Sequence, residues 1–260
     1  MYENKDHTFS ICAYKESEYL EECIKSVIYQ GSRVIVATST PNDHIENLCK
    51  KYNLPLYVND TGITGIDGDW NFAIKAAKTP LVTIAHQDDV YKSNYAHVML
   101  DKINACKNPV MFFSNSGEIR NGREVEDSTL LKVKRLLSSP VRLKGDSRFL
   151  KRASIALGNS ICCPSVTYMR DIKLLHPFKK GFKSNLDWEM WEELSKVEGS
   201  FCSSGEILML HRVHEDSETA HLIGENARAK EDLEMLKKFW PDKIAGIIGK
   251  VYSEESEKNN

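Results

Sequence analysis

The sequence contains no run of apolar residues long enough to cross a bilayer. A spanning helix needs about 20 such residues, whereas the strongest run in this chain extends only from Leu81 to Ala85. The first residues, Met1–His7, also lack the apolar segment of a secretory signal. We therefore expect a cytoplasmic protein.

An excess of charge of one sign is also absent. The 260 residues include 35 Lys and Arg against 37 Asp and Glu, for a net charge of -2. This balance argues against a dedicated nucleic-acid-binding protein, so we expect no nucleic acid among its partners. Because 41% of the residues are hydrophobic and 28% are charged, the composition is that of a folded protein and excludes a disordered one.

One segment departs from this charge balance. Between Lys132 and Arg152, eight basic residues stand against a single acid, Asp146. Clustered Lys and Arg attract anionic lipids, so the segment predicts peripheral contact with the inner face of a membrane, or binding of a phosphorylated acceptor. An ordinary solvated helix face is the simpler alternative.

The cysteines form no Cys-x-x-Cys pair, which is the spacing typical of zinc and redox sites. Most of them lie within apolar segments, so we predict buried thiols. The seven are Cys12, Cys23, Cys49, Cys106, Cys162, Cys163 and Cys202.

The first hundred residues alternate between strand and helix patterns, which predicts an α/β fold of right-handed βαβ units. Such units give a Rossmann-like, mostly parallel central sheet flanked by helices. The apolar run Leu81–Ala85 is typical of a central strand covered on both faces. The other predicted strands are Phe9–Ala13, Arg33–Ala37 and Leu54–Val58, and the predicted helices are Glu18–Tyr29, Ile45–Lys51 with Asp43 as its cap, and Asp69–Lys78.

Beyond residue 100 the pattern is looser, but no linker or repeat divides the chain. We predict one domain over residues 1–220, with a nucleotide-binding half (8–115) and an acceptor half (116–220), followed by a C-terminal helical extension (221–260). The predicted elements are a strand at Val110–Ser114, a polar loop at Gly117–Ser128, a strand at Ile207–Leu210, and helices at Thr129–Ser138, Asn185–Val197 and Ala227–Trp240.

Two adjacent carboxylates, Asp88 and Asp89, follow the strongest predicted strand. Open parallel sheets bind ligands at the carboxyl ends of their strands, and adjacent carboxylates there repel each other unless a cation offsets their charge. Mn²⁺ or Mg²⁺ fits, because such ions take carboxylate ligands together with nucleotide phosphates. The alternative is a solvated loop that caps the helix near Asn94.

Two later segments could also carry chemistry. Asp187 begins a predicted helix together with Trp188 and Trp191, whose rings could cover a sugar site or belong to the core, with Asp187 as a simple cap. Arg212 and His214 follow a short apolar strand, where they could meet a pyrophosphate and its metal. A surface loop with ion pairs is the alternative for this second segment.

Taken in order, these segments resemble the family 2 glycosyltransferases, which are inverting enzymes of the GT-A fold, and in particular those of bacterial polysaccharide biosynthesis. The resemblance covers about residues 8–220 and is carried first by Phe9–Glu16 and Tyr19–Val27, which look like the family's first strand, nucleotide-contacting turn and first helix. Asp69–Ala73, followed by the strand that leads into the Asp pair, is similar to the family's Asn-containing helix and acidic motif.

The resemblance also implies roles for single residues. Asp89 would be a metal ligand together with His214, and Asp187 would be the general base. His86 stands where the family's Asp-x-Asp-Asp motif has its first acid, and the loop 37–43 has no counterpart of the acid with which many members bind the uracil ring, so the base stays open. The implied donor-binding residues are Ala13, Tyr14, Glu16, Ser39, Asn71, Asp88 and Arg212.

The function implied by this resemblance is transfer of a sugar from a nucleotide-diphosphate sugar to a hydroxyl of a saccharide or lipid-linked acceptor, with Mn²⁺ or Mg²⁺ as cofactor. Bacterial cell-surface polysaccharide synthesis is the expected setting. One alternative is a nucleotidyltransferase, although Ala13–Ser17 offers no glycine-rich, basic phosphate loop. Another is a GT-A module that binds nucleotide sugars or a partner without catalysis.

Overall fold

The computed structural model describes residues 1–63, 65–170, 178–179, 181–214 and 227–258. These residues form one nine-stranded sheet flanked by helices. The strands are β1 (His7–Ala13), β2 (Arg33–Thr38), β3 (Leu56–Val58), β4 (Leu81–His86), β5 (Val90–Tyr91), β6 (Pro109–Arg120), β7 (Arg123–Val125), β8 (Val166–Met169) and β9 (Ser200–Val213). The helices are α1 (Leu20–Val27), α2 (Asp43–Tyr52), α3 (Ile66–Ala76), α4 (Tyr95–Ala105), α5 (Thr129–Leu143), α6 (Arg148–Ala153), α7 (Leu186–Lys196), α8 (Ala227–Lys237) and α9 (Asp242–Lys258).

The sheet has the strand order β3-β2-β1-β4-β8-β6-β9-β5, with β7 paired to β6. The pairs formed among β1, β2, β3 and β4 are parallel, as is the pair of β6 with β9. Strands β8 and β5 pair antiparallel with their neighbours. The predicted α/β architecture with a mostly parallel sheet is therefore confirmed, and it matches the GT-A fold.

Strand β4 shows why the sheet is covered on both faces. Alternate side chains of a strand point to opposite faces. Leu81 and Ala85 accordingly join the core formed with α1 and α4, while Val82 and Ile84 join the core formed with α7. All four are completely buried, so β4 is a rigid base for the residues that follow it.

Three local predictions were wrong. Residues 117–128 are not a loop throughout, because β6 continues to Arg120 and returns as β7. Asn121 and Gly122 make this turn with φ of 50° and 73°, and Asn-Gly is the usual sequence of such a hairpin. Helix α2 is capped by Asn42 rather than Asp43, since the Asn42 side chain accepts a hydrogen bond from the Ile45 N–H. Not all cysteines are free thiols, because Cys106 and Cys202 form a disulfide.

The C-terminal helices α8 and α9 pack against the core that contains α7. Met235, Leu236 and Ala245 are completely buried and share a core with Trp188 of α7. The predicted domain boundary at residue 220 lies outside the described residues, and the division into domains stays a prediction. No helix in the described part of the chain is both long and apolar enough to cross a membrane.

Candidate active site

The carboxyl ends of β1 and β4 are joined by a pair of hydrogen bonds. The Tyr14 N–H donates to Gln87 Oε1 at 2.9 Å, and Gln87 Nε2 donates to the Tyr14 carbonyl at 3.0 Å. Ala13 is buried at the end of β1, while Tyr14 is 45% exposed. The predicted donor-binding turn therefore lies directly beside the acidic turn.

The end of β2 is also acidic, although its own loop is not. Ser39 Oγ donates to Asp69 Oδ2 at 2.8 Å, and Asn59 Nδ2 donates to Asp69 Oδ1 at 3.0 Å. Asp69 belongs to α3, which brings its carboxylate next to Ser39. The residues between β2 and α2, 39–42, include no acid, and the fold supplies one from a distant segment.

Two other predicted donor-binding residues have different surroundings. The Glu16 side chain is 81% exposed and lies 4.0 Å from His44 Nδ1. The Asn71 amide is occupied by the backbone of Phe178: Nδ2 donates to the Phe178 carbonyl at 2.9 Å, and Oδ1 accepts from its N–H at 3.0 Å. Phe178 in turn contacts Trp70 edge to face. Asn71 thus holds Phe178 against Trp70.

Asp89 is the most enclosed carboxylate of the acidic turn, with no exposed surface. Its Oδ1 accepts hydrogen bonds from the Arg212 N–H and lies against His211 Nδ1, both at 2.9 Å. Its Oδ2 has no hydrogen-bond partner among the described residues and lies 3.7 Å from His86 Nδ1. An unpaired buried carboxylate oxygen is costly, so Oδ2 is poised to bind a further group.

Imidazole groups offset the charge of this turn. Although burial opposes the charge on His211, Asp89 and Asp88 raise its pKa to about 9. Burial also opposes ionisation of Asp88, but the hydrogen bond to His214 and the charges of His86 and His211 keep its pKa below the ordinary value. His214 Nε2 lies 3.0 Å from Asp88 Oδ2. The Asp88 carboxylate is therefore held in the ionised form.

A divalent cation fits the remaining ligand atoms. His86, Asp88 and Asp89 each offer one atom, and these atoms lie within 4.8 Å of one another. The His86 ring stacks on Trp70 at 5.0 Å, and its Nε2 is buried without a partner among the described residues. Carboxylates suit Mg²⁺ and Mn²⁺, and an imidazole is a usual ligand of transition metals. His214 is not a member of this set; its Nε2 contacts Asp88 Oδ2 instead.

Arg212 contacts both the acidic turn and helix α1. Its Nε donates to the Asp88 carbonyl at 2.9 Å, and its Nη2 contacts Glu22 Oε2 at 2.5 Å. The guanidinium also lies 4.3 Å from the centre of the Tyr19 ring. The predicted Arg212 and Asp88 are thus brought together, while Glu22 and Tyr19 were not foreseen as neighbours.

Asp187 lies in the first turn of α7. Its neighbours differ from those of the acidic turn. Its Oδ2 accepts a hydrogen bond from Asn159 Nδ2 at 2.7 Å, and its Oδ1 accepts one from the Trp188 N–H at 2.8 Å. Burial raises the pKa of Asp187, and the two hydrogen bonds offset part of that effect. Trp188 and Trp191 are completely buried, so these rings belong to the core.

The C-terminal helix α8 holds the residues that directly precede Asp187 in the chain. The Glu231 carboxylate accepts hydrogen bonds from the N–H groups of Lys183, Ser184 and Asn185, and Asp232 accepts one from Asn185 Nδ2 at 2.7 Å. Sequence reasoning missed both acids because they lie more than 40 residues downstream of Asp187.

The charges of Asp89 and Asp187 both act on the half-buried Cys162 thiol. Burial raises the pKa of the Cys162 thiol to about 12, and the charges of Asp89 and Asp187 both add to this effect.

A cavity of about 430 Å³ lies elsewhere, at the amino ends of the strands, where Arg33, Tyr52 and Lys78 line it. The candidate site is therefore assigned from its chemistry and not from cavity size.

A family model described as "Glycosyl transferase family 2" matches residues 8–172. The chain belongs to this family. The match covers β1 through β8 and includes the acidic turn, which confirms the resemblance carried by the sequence motifs. No curated protein matches the sequence.

Solved structures share the fold at low identity. TarS from S. aureus is 16% identical with a TM-score of 0.54, over 93% of this chain and 42% of that one. The mannosyltransferase PcManGT from Pyrobaculum calidifontis, in complex with GDP-Man and Mn²⁺, is 15% identical with a TM-score of 0.65, over 95% and 69%. Glucosyl-3-phosphoglycerate synthase from Mycobacterium tuberculosis, with Mn²⁺ and UDP-glucose, is 13% identical with a TM-score of 0.59, over 90% and 79%. This chain thus spans less than half of TarS.

Proposed function

We propose that this protein transfers a sugar from a nucleotide-diphosphate sugar to an acceptor hydroxyl, with inversion at the anomeric carbon. The observation that carries the proposal is the unpartnered Oδ2 of the buried Asp89, beside Asp88, at the carboxyl end of β4. Ligands of open α/β sheets bind at this edge. Family membership supports glycosyl transfer over other nucleotide chemistry.

Asp89 and Asp88, together with His86, are the residues that would hold Mn²⁺ or Mg²⁺. When bound, such a cation neutralises negative charge on the leaving diphosphate. His211 and the Arg212 N–H hold Asp89 Oδ1, so Oδ2 keeps a fixed orientation. His214 does the same for Asp88, and in the proposed site it supports the ligand Asp88 instead of serving as a ligand itself.

Arg212 and Asp187 take the two remaining roles. The Arg212 guanidinium adds positive charge beside the acidic turn, where it can stabilise the departing diphosphate. Asp187 accepts the proton of the attacking hydroxyl at a carboxylate oxygen. Its raised pKa makes it a stronger base than an exposed carboxylate, and two hydrogen bonds hold its orientation.

The donor is bound by the turn after β1 and by the end of β2, with Ala13, Tyr14, Glu16 and Ser39 nearest to it. Asn71 contributes indirectly, because it holds Phe178 edge to face against Trp70, which stacks on His86. Relatives in fold are complexed with UDP-GlcNAc, UDP-glucose or GDP-Man, so both uridine and guanosine donors are candidates here.

The proposed acceptor is a saccharide or lipid-linked hydroxyl compound in bacterial cell-surface polysaccharide synthesis. The support for this setting is the resemblance of the sequence motifs to enzymes of that kind. A lipid-linked acceptor would require peripheral contact with a membrane, for which Lys132–Arg152 is the candidate segment.

A thermal-shift screen tests donor binding. Nucleoside diphosphates and their sugars are added with and without Mn²⁺, and the melting temperature of the protein is recorded. Because ligands that bind only the native state stabilise it, we expect at least one nucleotide to raise Tm by several degrees, and more with Mn²⁺. No shift with any nucleotide, with or without metal, would contradict the proposal.

Replacing Asn159 by Ala tests how Asp187 is held ionised. In the wild type, the hydrogen bond from Asn159 favours the carboxylate form of Asp187. Its removal therefore raises the pKa of Asp187 further. Because the reaction uses the ionised form, we expect the acidic limb of the kcat profile to move to higher pH by about one unit. An unchanged limb with an unchanged kcat would show that Asn159 does not act on the base.

A further inference from the structure

The basic segment 132–152 does not present all of its charge to solvent. Lys151 is only 1% exposed, and its Nζ donates to the carbonyls of Val197 and Gly199 at 2.6 and 3.0 Å. Arg152 pairs with Glu192 and donates to the Lys238 carbonyl. These two bases support the fold, so the count of eight in the sequence overstates the surface charge.

The exposed bases alternate with exposed apolar side chains. Lys132, Arg142, Lys144 and Arg148 lie on the surface. Leu136, Leu143 and Phe149 are 70%, 88% and 76% exposed, which places them among the five most exposed large hydrophobic side chains of the described residues. Single exposed apolar residues are ordinary, but three within fourteen positions beside four cations form a distinct surface.

Leu136 and Leu143 lie on the outer side of α5, and Arg148 and Phe149 begin the next helix, α6. Leu136 and Leu143 are seven positions apart, so they lie on the same face of the helix. Leu131, Ser138 and Val141 are buried and form the opposite face. The apolar side chains of the outer face are therefore not needed for packing within the described part of the chain.

We propose that this surface of α5 and α6, formed by Lys132, Leu136, Leu143, Lys144, Arg148 and Phe149, docks the protein on an anionic lipid bilayer. Cations alone would suit any polyanion, and apolar side chains alone would suit a protein partner. The alternation of both fits the boundary between phosphate headgroups and acyl chains, where Leu and Phe insert and Lys and Arg remain among the phosphates.

The position of this surface connects membrane docking to the proposed function, on which this step rests. Arg152 of α6 pairs with Glu192 of α7, so this surface adjoins the helix that carries the proposed base. A bilayer held against the outer side of α5 would then lie next to the acceptor side of the site. A hydroxyl on a lipid-linked acceptor would reach Asp187 without leaving the membrane surface.

Co-sedimentation with vesicles tests the proposal without any nucleotide, so its result is independent of the transfer reaction. The full chain is mixed with phosphatidylcholine vesicles that contain or lack 30% phosphatidylglycerol. The variants are Leu143→Ser/Phe149→Ser and Lys144→Glu/Arg148→Glu. Their matched controls are Tyr29→Ser, which removes an equally exposed side chain, and Lys102→Glu/Lys107→Glu, which changes the charge equally around α4 on the other face of the sheet.

We expect binding to the anionic vesicles that falls at least about tenfold in each test pair and stays within twofold in both controls. High salt should weaken the binding, and vesicles of phosphatidylcholine alone should bind little. Circular dichroism confirms that each variant is folded. The proposal is overturned if wild type ignores anionic vesicles, if either test pair binds as wild type does, or if the Ser pair instead abolishes a dimer, which would assign this surface to a second copy of the chain.

Discussion

Replacing Asp187 by Asn is expected to lower kcat by about 10²–10⁴-fold, the range that a positioned general base contributes. The amide has nearly the same shape and can still accept one hydrogen bond, but it cannot take a proton from the acceptor hydroxyl. The proposed donor site lies around Asp88 and Asp89, so the donor Kd should change no more than a few-fold. Steady-state kinetics and calorimetric titration of the donor measure the two quantities.

The matched control is Glu193→Gln on the same helix, where the carboxylate is 42% exposed and pairs, within the described part of the chain, only with Lys179 and Lys196. That variant should keep the kcat of wild type. If Asp187→Asn abolishes donor binding together with transfer, Asp187 supports the structure and is not the base.

Replacing Asp89 by Asn is expected to remove the part of donor affinity that depends on Mn²⁺. The change takes away the charge at Oδ2, a buried oxygen that has no hydrogen-bond partner among the described residues, and also the charge that raises the pKa of His211. We expect at least a tenfold weaker donor Kd in the presence of Mn²⁺, close to the value without metal. Calorimetric titration with and without Mn²⁺ measures this difference.

Asp101→Asn serves as the control here, since this exposed carboxylate on α4 pairs only with His97 in the described residues. Its donor affinity should respond to Mn²⁺ as that of wild type does. A full Mn²⁺ effect in Asp89→Asn would exclude Asp89 from the metal site.

The acidic turn could be predicted from the sequence because its signal is local. A continuous apolar strand, Leu81–Ala85, ends directly at the polar residues that follow it, and parallel sheets bind ligands at that end. The resemblance to the family then predicted that Asp187 is the general base. The residues around Asp187 in the sequence did not distinguish this role from that of a helix cap. The hairpin of β6 and β7 was missed although its Asn121-Gly122 signal is equally local.

The partners of these residues could not be predicted, because they come from distant parts of the chain. Asn159 reaches Asp187 from 28 positions upstream, and Asp69 meets Ser39 from 30 positions downstream. Such contacts depend on how whole elements pack and leave no periodic signal. The same holds for Lys151, whose burial turned a predicted surface charge into a structural one.

The most direct measurement of the central claim is release of nucleoside diphosphate from the donor that the thermal-shift screen identifies. The protein is incubated with that nucleotide sugar, Mn²⁺ and a panel of saccharide and lipid-linked acceptors, and the diphosphate is quantified. We predict release that requires both an acceptor and Asp187, with formation of a glycosylated product. Tight binding of the donor with no diphosphate released under any of these conditions would contradict the account and identify a binding module. Release of inorganic pyrophosphate instead would identify a nucleotidyltransferase.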